Sequence, residues 1–242
     1  QNQKFINNFL DRNKEYKDSK MTYAGRLDPM ASGVLLILAG EETKNKEKYL
    51  ALDKEYEFEI LLGFKTDTYD ILGKVLTQPH RQDLWGNEEL EKLIKKKLKY
   101  FTGKFTQEYP LYSSKTVNGI PLFSYARKGE KVKIPNREVV VKQLKFLKLR
   151  KINSKILLAN IEKRIKKVKG DFRQKEILKI WQNKLNFNKK EPFLFTVGSF
   201  KIKCGSGTYV RAIANSLGDK IGVPALAFSI KRTKVGKFAK MY

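Results

Sequence analysis

The stretch from Lys54 to Leu62 leaves this chain few folding options. Tyr56, Phe58 and Ile60 alternate with charged residues, which is the two-residue period of a strand with one face in a core and the other in water. Such a strand needs sheet neighbours and an apolar cover, and the sequence offers both. Val139 to Leu149 alternates with lysines, Phe200 to Cys204 repeats the pattern, and Val34 to Ala39 is a short branched run suited to a buried strand. Helical spacing appears from Glu88 to Phe101, where Leu90, Leu93, Ile94, Leu98 and Phe101 recur at three- and four-residue steps. It appears again from Asn160 to Lys184, from Tyr209 to Leu217 with Gly218 as a stop, and in the opening segment to about Lys20 through Phe5, Ile6, Phe9 and Leu10. Neither a repeat of fixed period nor a low-complexity linker divides the chain. The expectation is one mixed α/β (α+β) domain over residues 1–242, with 41% hydrophobic residues to fill its core.

Charge then narrows the partner. Lysine plus arginine number 51 against 25 acidic residues, a net charge of +26, which a folded domain tolerates best beside an anion such as nucleic acid. A lysine-rich composition accounts for part of that excess. The turn-rich stretch 103–137, with Tyr109, Tyr112, Phe123, Tyr125 and the basic end Arg127-Lys128-Gly129, reads as a loop-rich binding element, and 151–192 as a basic helical insertion. The one cysteine, Cys204, excludes an internal disulfide and points to a reducing, cytoplasmic compartment; no Cys, His and carboxylate cluster has zinc spacing, so no metal is expected. The run from Gly33 to Gly40 is too short to span a membrane, and no secretion leader is apparent. Because the first residue is Gln1, the N-terminus is expected to be incomplete.

Taken alone, the polar candidates are ambiguous. Asp28 sits in a Leu27-Asp28-Pro29 turn ahead of the apolar run, where proline favours an extended conformation; by itself this reads first as an ordinary turn and second as a cleft-facing carboxylate. Tyr56 is read either as a core residue or as a stacking platform. The turn Gly205 to Thr208 lacks the ending of a Walker motif, and its glycines are read as turn residues. His80, the sole histidine, lies in a polar stretch and is read as a solvated loop residue.

Longer motifs resolve the ambiguity. The segment Tyr23 to Lys44, containing Gly25-Arg26-Leu27-Asp28-Pro29 and Ala31-Ser32-Gly33-Val34, resembles the signature of the TruB family of tRNA pseudouridine synthases. Further matches follow in order: Lys54 to Thr68 continuing to Asp70 and Gly73, Pro110 to Gly119 continuing to Gly129, Lys203 to Arg211, and Ile230 to Phe238. Only about Lys151 to Pro192 lies outside the resemblance. It implies a pseudouridine synthase fold, a mixed and mostly antiparallel sheet flanked by helices, without the C-terminal PUA domain that many relatives append. It also implies a cofactor-independent reaction on the T-loop uridine at position 55 of tRNA by a monomer, with Asp28 as the catalytic carboxylate, Arg211 as its cationic partner and Tyr56 stacked on the uracil. Tyr23, Arg26, Lys54, Tyr112, Lys115, Arg127, Lys128 and Tyr209 are the implied substrate contacts. Tyr23 stands where many relatives have histidine, and Thr116 where they commonly have lysine.

The residue types suit the reaction. Isomerisation breaks the N1 glycosidic bond, turns the base and rejoins the ribose at C5, for which an ionised carboxylate serves either as nucleophile or as acceptor of a ribose proton. A nearby arginine keeps it ionised, and a stacked uridine must be flipped out of its loop first. A guide-RNA-dependent synthase like the dyskerin branch and a non-catalytic tRNA-binding module are the competing expectations.

Overall fold

The computed structural model describes residues 9–11, 13–77, 86–185 and 193–239. His80 and residues 1–8 of the expected opening helix lie outside them, and between residues 13 and 20 the chain forms a 3-10 turn in place of the expected helix. After a 3-10 turn at Lys14–Tyr16 come three short strands, β1 (Met21–Ala24), β2 (Ala31–Gly33) and β3 (Leu36–Ala39). The apolar run from Val34 to Ala39, expected to form a buried strand, supplies β3, of which only Leu38 is fully buried. β3 pairs with β1 in a ribbon of its own, whereas β2 lies parallel to a late strand of the main sheet. Gly33 makes the switch possible: its φ is +106°, and a Cβ there would sit 2.0 Å from the carbonyl oxygen of Arg232, an approach only glycine permits.

Helix α1 (Lys46–Ala51) leads into β4 (Lys54–Leu62), the strand expected from its alternation. Then follow α2 (Asn87–Lys97), β5 (Gly103–Glu108), a small hairpin of β6 (Thr116–Val117) and β7 (Ile120–Pro121), and α3 (Leu122–Lys128). The long strand β8 (Asn136–Asn153) precedes two helices, α4 (Ser154–Ile165) and α5 (Gln174–Leu185), and the chain returns through β9 (Leu194–Cys204), α6 (Val210–Ile221), β10 (Ala225–Val235) and β11 (Phe238–Ala239). The main sheet runs β11-β10-β4-β9-β8-β5, all antiparallel, with β2 added parallel to β10. The mixed, mostly antiparallel fold class is thus present.

Alternation along β4 sorts its side chains into two cores. Phe58, Ile60 and Leu62 join Leu90, Ile94, Ile213 and Leu217 under α2 and α6. Leu61 belongs to the other core, with Phe64, Ile71, Leu157, Ile161, Ile177 and Trp181 beneath α4 and α5. The glutamates between the apolar residues pair across strands, Glu57 with Lys201 at 3.0 Å and Glu59 with Arg150 at 2.9 Å.

Two helical expectations shift. The single helix read from Asn160 to Lys184 is a pair, broken where Gly170 takes a φ of +96° and Arg173 one of +62°. Gly218 lies inside α6, which ends at the left-handed Gly222. A Cβ on Gly218 would come 2.6 Å from that of Ala225, so this glycine serves helix-to-strand packing and not termination. Among the described residues no helix is long and apolar enough to cross a membrane.

Candidate active site

Loops at one end of the sheet enclose a cavity of about 650 Å³, with Asp28, Asp70, Tyr209 and Arg211 among its walls; that volume suits a nucleoside-sized ligand. Arg211 lies on the first turn of α6 and is 3% exposed. Its Nε donates to Asp28 Oδ2 at 2.9 Å and its Nη2 to Asp28 Oδ1 at 3.4 Å, a fork-on-fork pairing. The remaining donors are also engaged: Nη1 reaches the Thr68 carbonyl at 2.6 Å and Nη2 the Tyr112 carbonyl at 3.0 Å. Burial alone would lower the pKa of this guanidinium, but Asp28 and Asp70 outweigh it and the net shift is upward. The side chain of Asp28 keeps 28% exposure, so the same carboxylate is oriented by the cation and open to the cavity.

The helix start that carries Arg211 is itself clamped. Gln107 on β5, 6% exposed, accepts from the Tyr209 N–H at 2.8 Å and donates to its carbonyl at 3.2 Å. Ahead of Tyr209 the turn Gly205–Thr208 holds no phosphate-loop geometry; Gly207, at φ +78°, is a turn residue as expected.

Asp28 is held from below by a residue the sequence does not single out. Arg232 on β10 is 2% exposed; its Nε donates to the Val34 carbonyl at 2.6 Å and its Nη2 to the Gly25 carbonyl at 2.9 Å, bracketing the Asp28 loop on both sides. Replacing Arg232 with methionine leaves these part-buried carbonyls without their donor. We expect a loss of about 2–4 kcal/mol, read as a lower urea midpoint.

The polar turn from Thr66 to Gly73 is largely buried, with Thr66 at 0% and Asp70 at 5% exposure. Asp70 Oδ1 accepts from Thr68 Oγ1 at 2.8 Å and from the Leu72 N–H at 2.9 Å. Burial raises its pKa to about 6, with Asp28 adding to the rise and Arg211, Thr68 and the Leu72 amide opposing it. A carboxyl whose folded pKa is raised above its unfolded value favours folding below the unfolded pKa and loses that contribution as pH climbs through the folded one. The window is therefore from 3.8 to about 6. Asp70→Asn should flatten the fall in urea midpoint across that window by on the order of 3 kcal/mol.

The implied contacts divide. Tyr23, Arg26, Tyr112, Arg127 and Tyr209 line the cavity. Arg26 donates to Ser114 Oγ at 2.7 Å and to the Tyr23 hydroxyl at 3.2 Å, tying the Asp28 loop to the 110–114 stretch. Lys115 and Lys128 lie outside the cavity wall, the first with its ammonium 5.6 Å from the Tyr109 ring centre, the second 3.7 Å from Glu130. Lys54 is placed elsewhere than expected: it is 5% exposed and donates at 2.6 Å to the carbonyls of Leu50 and Leu52, so its ammonium caps the end of α1. Burial lowers its pKa.

Tyr56 is close enough to Asp28 to feel its charge, yet it packs against the apolar core and does not line the cavity. Burial, with help from Cys204 and Asp28 and against the charge and hydrogen bond of Arg232, pushes its hydroxyl up to about 12. The phenol is thus protonated at neutral pH and available as a hydrogen-bond donor. Of the aromatic residues named in the 103–137 stretch, Phe123 is exposed, whereas Tyr109, Tyr112 and Tyr125 are half-buried.

The family model described as TruB family pseudouridylate synthase (N terminal domain) matches residues 12–171. The chain belongs to the TruB family. Among curated relatives it is 32% identical over 225 residues to a tRNA pseudouridine synthase B of Ligilactobacillus salivarius, covering 93% of this chain and 61% of the relative. A protein of the same name from Caldanaerobacter subterraneus is also 32% identical over 225 residues, covering 93% and 62%. This TruB-family chain therefore spans about three-fifths of the length of the relatives it matches. In fold it is similar to a chain of a Cbf5-Nop10-Gar1 complex, at a TM-score of 0.51 and 19% identity over 94% of this chain and 44% of that one. It is equally similar to a chain of an H/ACA RNP bound to a substrate RNA containing 2'-deoxyuridine, at 0.51 and 17% over 99% and 45%.

Proposed function

We propose that this chain converts uridine to pseudouridine in the T loop of tRNA, with Asp28 as the reacting carboxylate. One observation carries the reading: a half-open carboxylate, gripped by a buried arginine through two hydrogen bonds, faces a nucleoside-sized cavity. Family membership and the relatives named tRNA pseudouridine synthase B supply the substrate class.

In this reading a flipped uridine enters beside Asp28. The carboxylate, oriented by Arg211, attacks the nucleotide or removes a ribose proton as the N1 bond breaks. The uracil turns while enclosed, C5 joins C1′ as the bond to the carboxylate breaks or the abstracted ribose proton returns, and the C5 proton leaves to solvent. Tyr23, Arg26 and Arg127 line the side by which the RNA strand arrives, and exposed lysines add the salt-dependent part of its affinity. The test is release of tritium from tRNA labelled at uridine C5, with a transcript lacking the T-loop uridine as control. Release from the first and not from the second is expected; none from either refutes the reading.

A further inference from the structure

The segment from Lys151 to Pro192 carries none of the sequence motifs quoted above, although the family model matches as far as residue 171, and its inter-helix loop reaches the site. Phe172 and Arg173 both line the cavity. The loop is tied down: Asp171 Oδ1 accepts from the Arg173 N–H at 3.1 Å, Gln174 Oε1 from the Phe172 N–H at 2.8 Å, and Gln174 Nε2 donates to the Gly170 carbonyl at 2.6 Å. Arg173 adopts a φ of +62°, which an arginine sustains only where its surroundings over-determine it. Its side chain is 19% exposed.

The partners of that side chain are informative. Arg173 Nη1 donates to Asp67 Oδ2 at 2.8 Å and to the Tyr112 hydroxyl at 2.7 Å, and its guanidinium carbon lies 4.3 Å from the centre of the Tyr112 ring. Arg211 holds the same two stretches by their backbones, through the carbonyls of Thr68 and Tyr112. Thr68 directly follows Asp67, so two arginines pin one pair of loops, one at the main chain and one at the side chains. Without Arg173, the carbonyls that orient Arg211 hang on loops secured at one point fewer.

We propose that Arg173 is a positioning residue of the active site, which locks Tyr112 and the Asp67–Thr68 turn so that Arg211 presents Asp28 in one geometry. Its effect on turnover rests on the activity proposed above. A loosening near the reacting groups lowers turnover by roughly 10²-fold, so Arg173→Ala should reduce kcat on tRNA to that extent while tRNA Kd stays within about twofold. Arg173→Lys should recover little, because an ammonium cannot bridge Asp67 and Tyr112 while stacking on the ring. Tyr112→Phe, which removes the hydroxyl acceptor alone, should give a smaller fall in kcat. A thermal midpoint near that of the parent shows that each variant is folded.

A phosphate contact would behave differently: Kd would weaken, the salt slope would fall by about one, and kcat at saturating tRNA would be unchanged. That outcome overturns the proposal, as does a parent-like kcat in an active background. Amide hydrogen exchange on the tRNA-free chain decides independently of catalysis. Arg173→Ala should accelerate exchange in 66–70 and 109–115 but not in β4 or β9. Unchanged exchange there overturns the positioning role even if the parent proves inactive on tRNA, the result that would refute only the proposed activity.

Discussion

Asp28→Asn is expected to abolish tritium release, by roughly 10³-fold or more, and to leave tRNA binding as tight as in the parent or tighter. The amide matches the carboxylate in shape, so the fork of Arg211 still finds one acceptor oxygen, but a neutral amide is neither a nucleophile nor an acceptor of a ribose proton. Binding survives because the phosphate-facing cations are untouched and one negative charge has left the path of an anionic ligand. Single-turnover kinetics with enzyme in excess separates the two quantities. Parent-like release by Asp28→Asn would refute the assignment of this carboxylate.

Arg211→Met should have the largest combined effect. It removes a charge that is 3% exposed and leaves the carbonyls of Thr68 and Tyr112 without their donor. It also strands Asp28 beside a second acid, Asp70. Breaking a buried pair from one side destabilises by about 3–5 kcal/mol; because Asp28 is partly open to water, the lower end is expected, on the order of 3 kcal/mol. Turnover should fall as far as in Asp28→Asn, since the remaining carboxylate is no longer oriented. Arg211 also opposes the rise in the pKa of Asp70, so in Arg211→Met that value should move further above about 6, visible as a later onset of its titration by carboxyl NMR. Arg211→Lys should restore some stability and little turnover, because a lysine offers no fork.

What could be seen in the sequence depended on whether a residue's role was local. The alternation of β4 and the spacing of α2 are periodic signals, and the structure reproduces both. Asp28 and Arg211 lie in motifs long enough to be matched, and they meet. Arg232 also lies in a matched motif, yet among Lys231, Thr233 and Lys234 it looks like one more exposed cation. Its burial follows from β2 and the Gly25 loop crossing over it, which no period on β10 reveals. Lys54 misleads in the opposite sense, since its motif places it next to Tyr56 while the carbonyls at the end of α1 capture its ammonium. Arg173 gives no local signal at all: its partners are 106 and 61 residues away, and its own segment reads as a charged surface. Gln107 is of the same kind, a lone amide on a strand whose purpose appears only when Tyr209 arrives against it.

The pairing of Asp28 with Arg211 spans 183 positions of chain, and the arginine beneath the Asp28 loop comes later still, at Arg232. During synthesis the carboxylate is therefore among the earliest parts of the site to be made and the cations that govern it among the last. A nascent chain that has emerged as far as α5 already holds Asp28, Asp70 and Arg173 but lacks the helix that bears Arg211. Until α6 and β10 dock, a closing of distant segments that is intrinsically slow, Asp28 and Asp70 lack the buried guanidinium of Arg211 on which they converge. Competence should thus appear in one step near the end of folding, later than the formation of β8 and the helices above it.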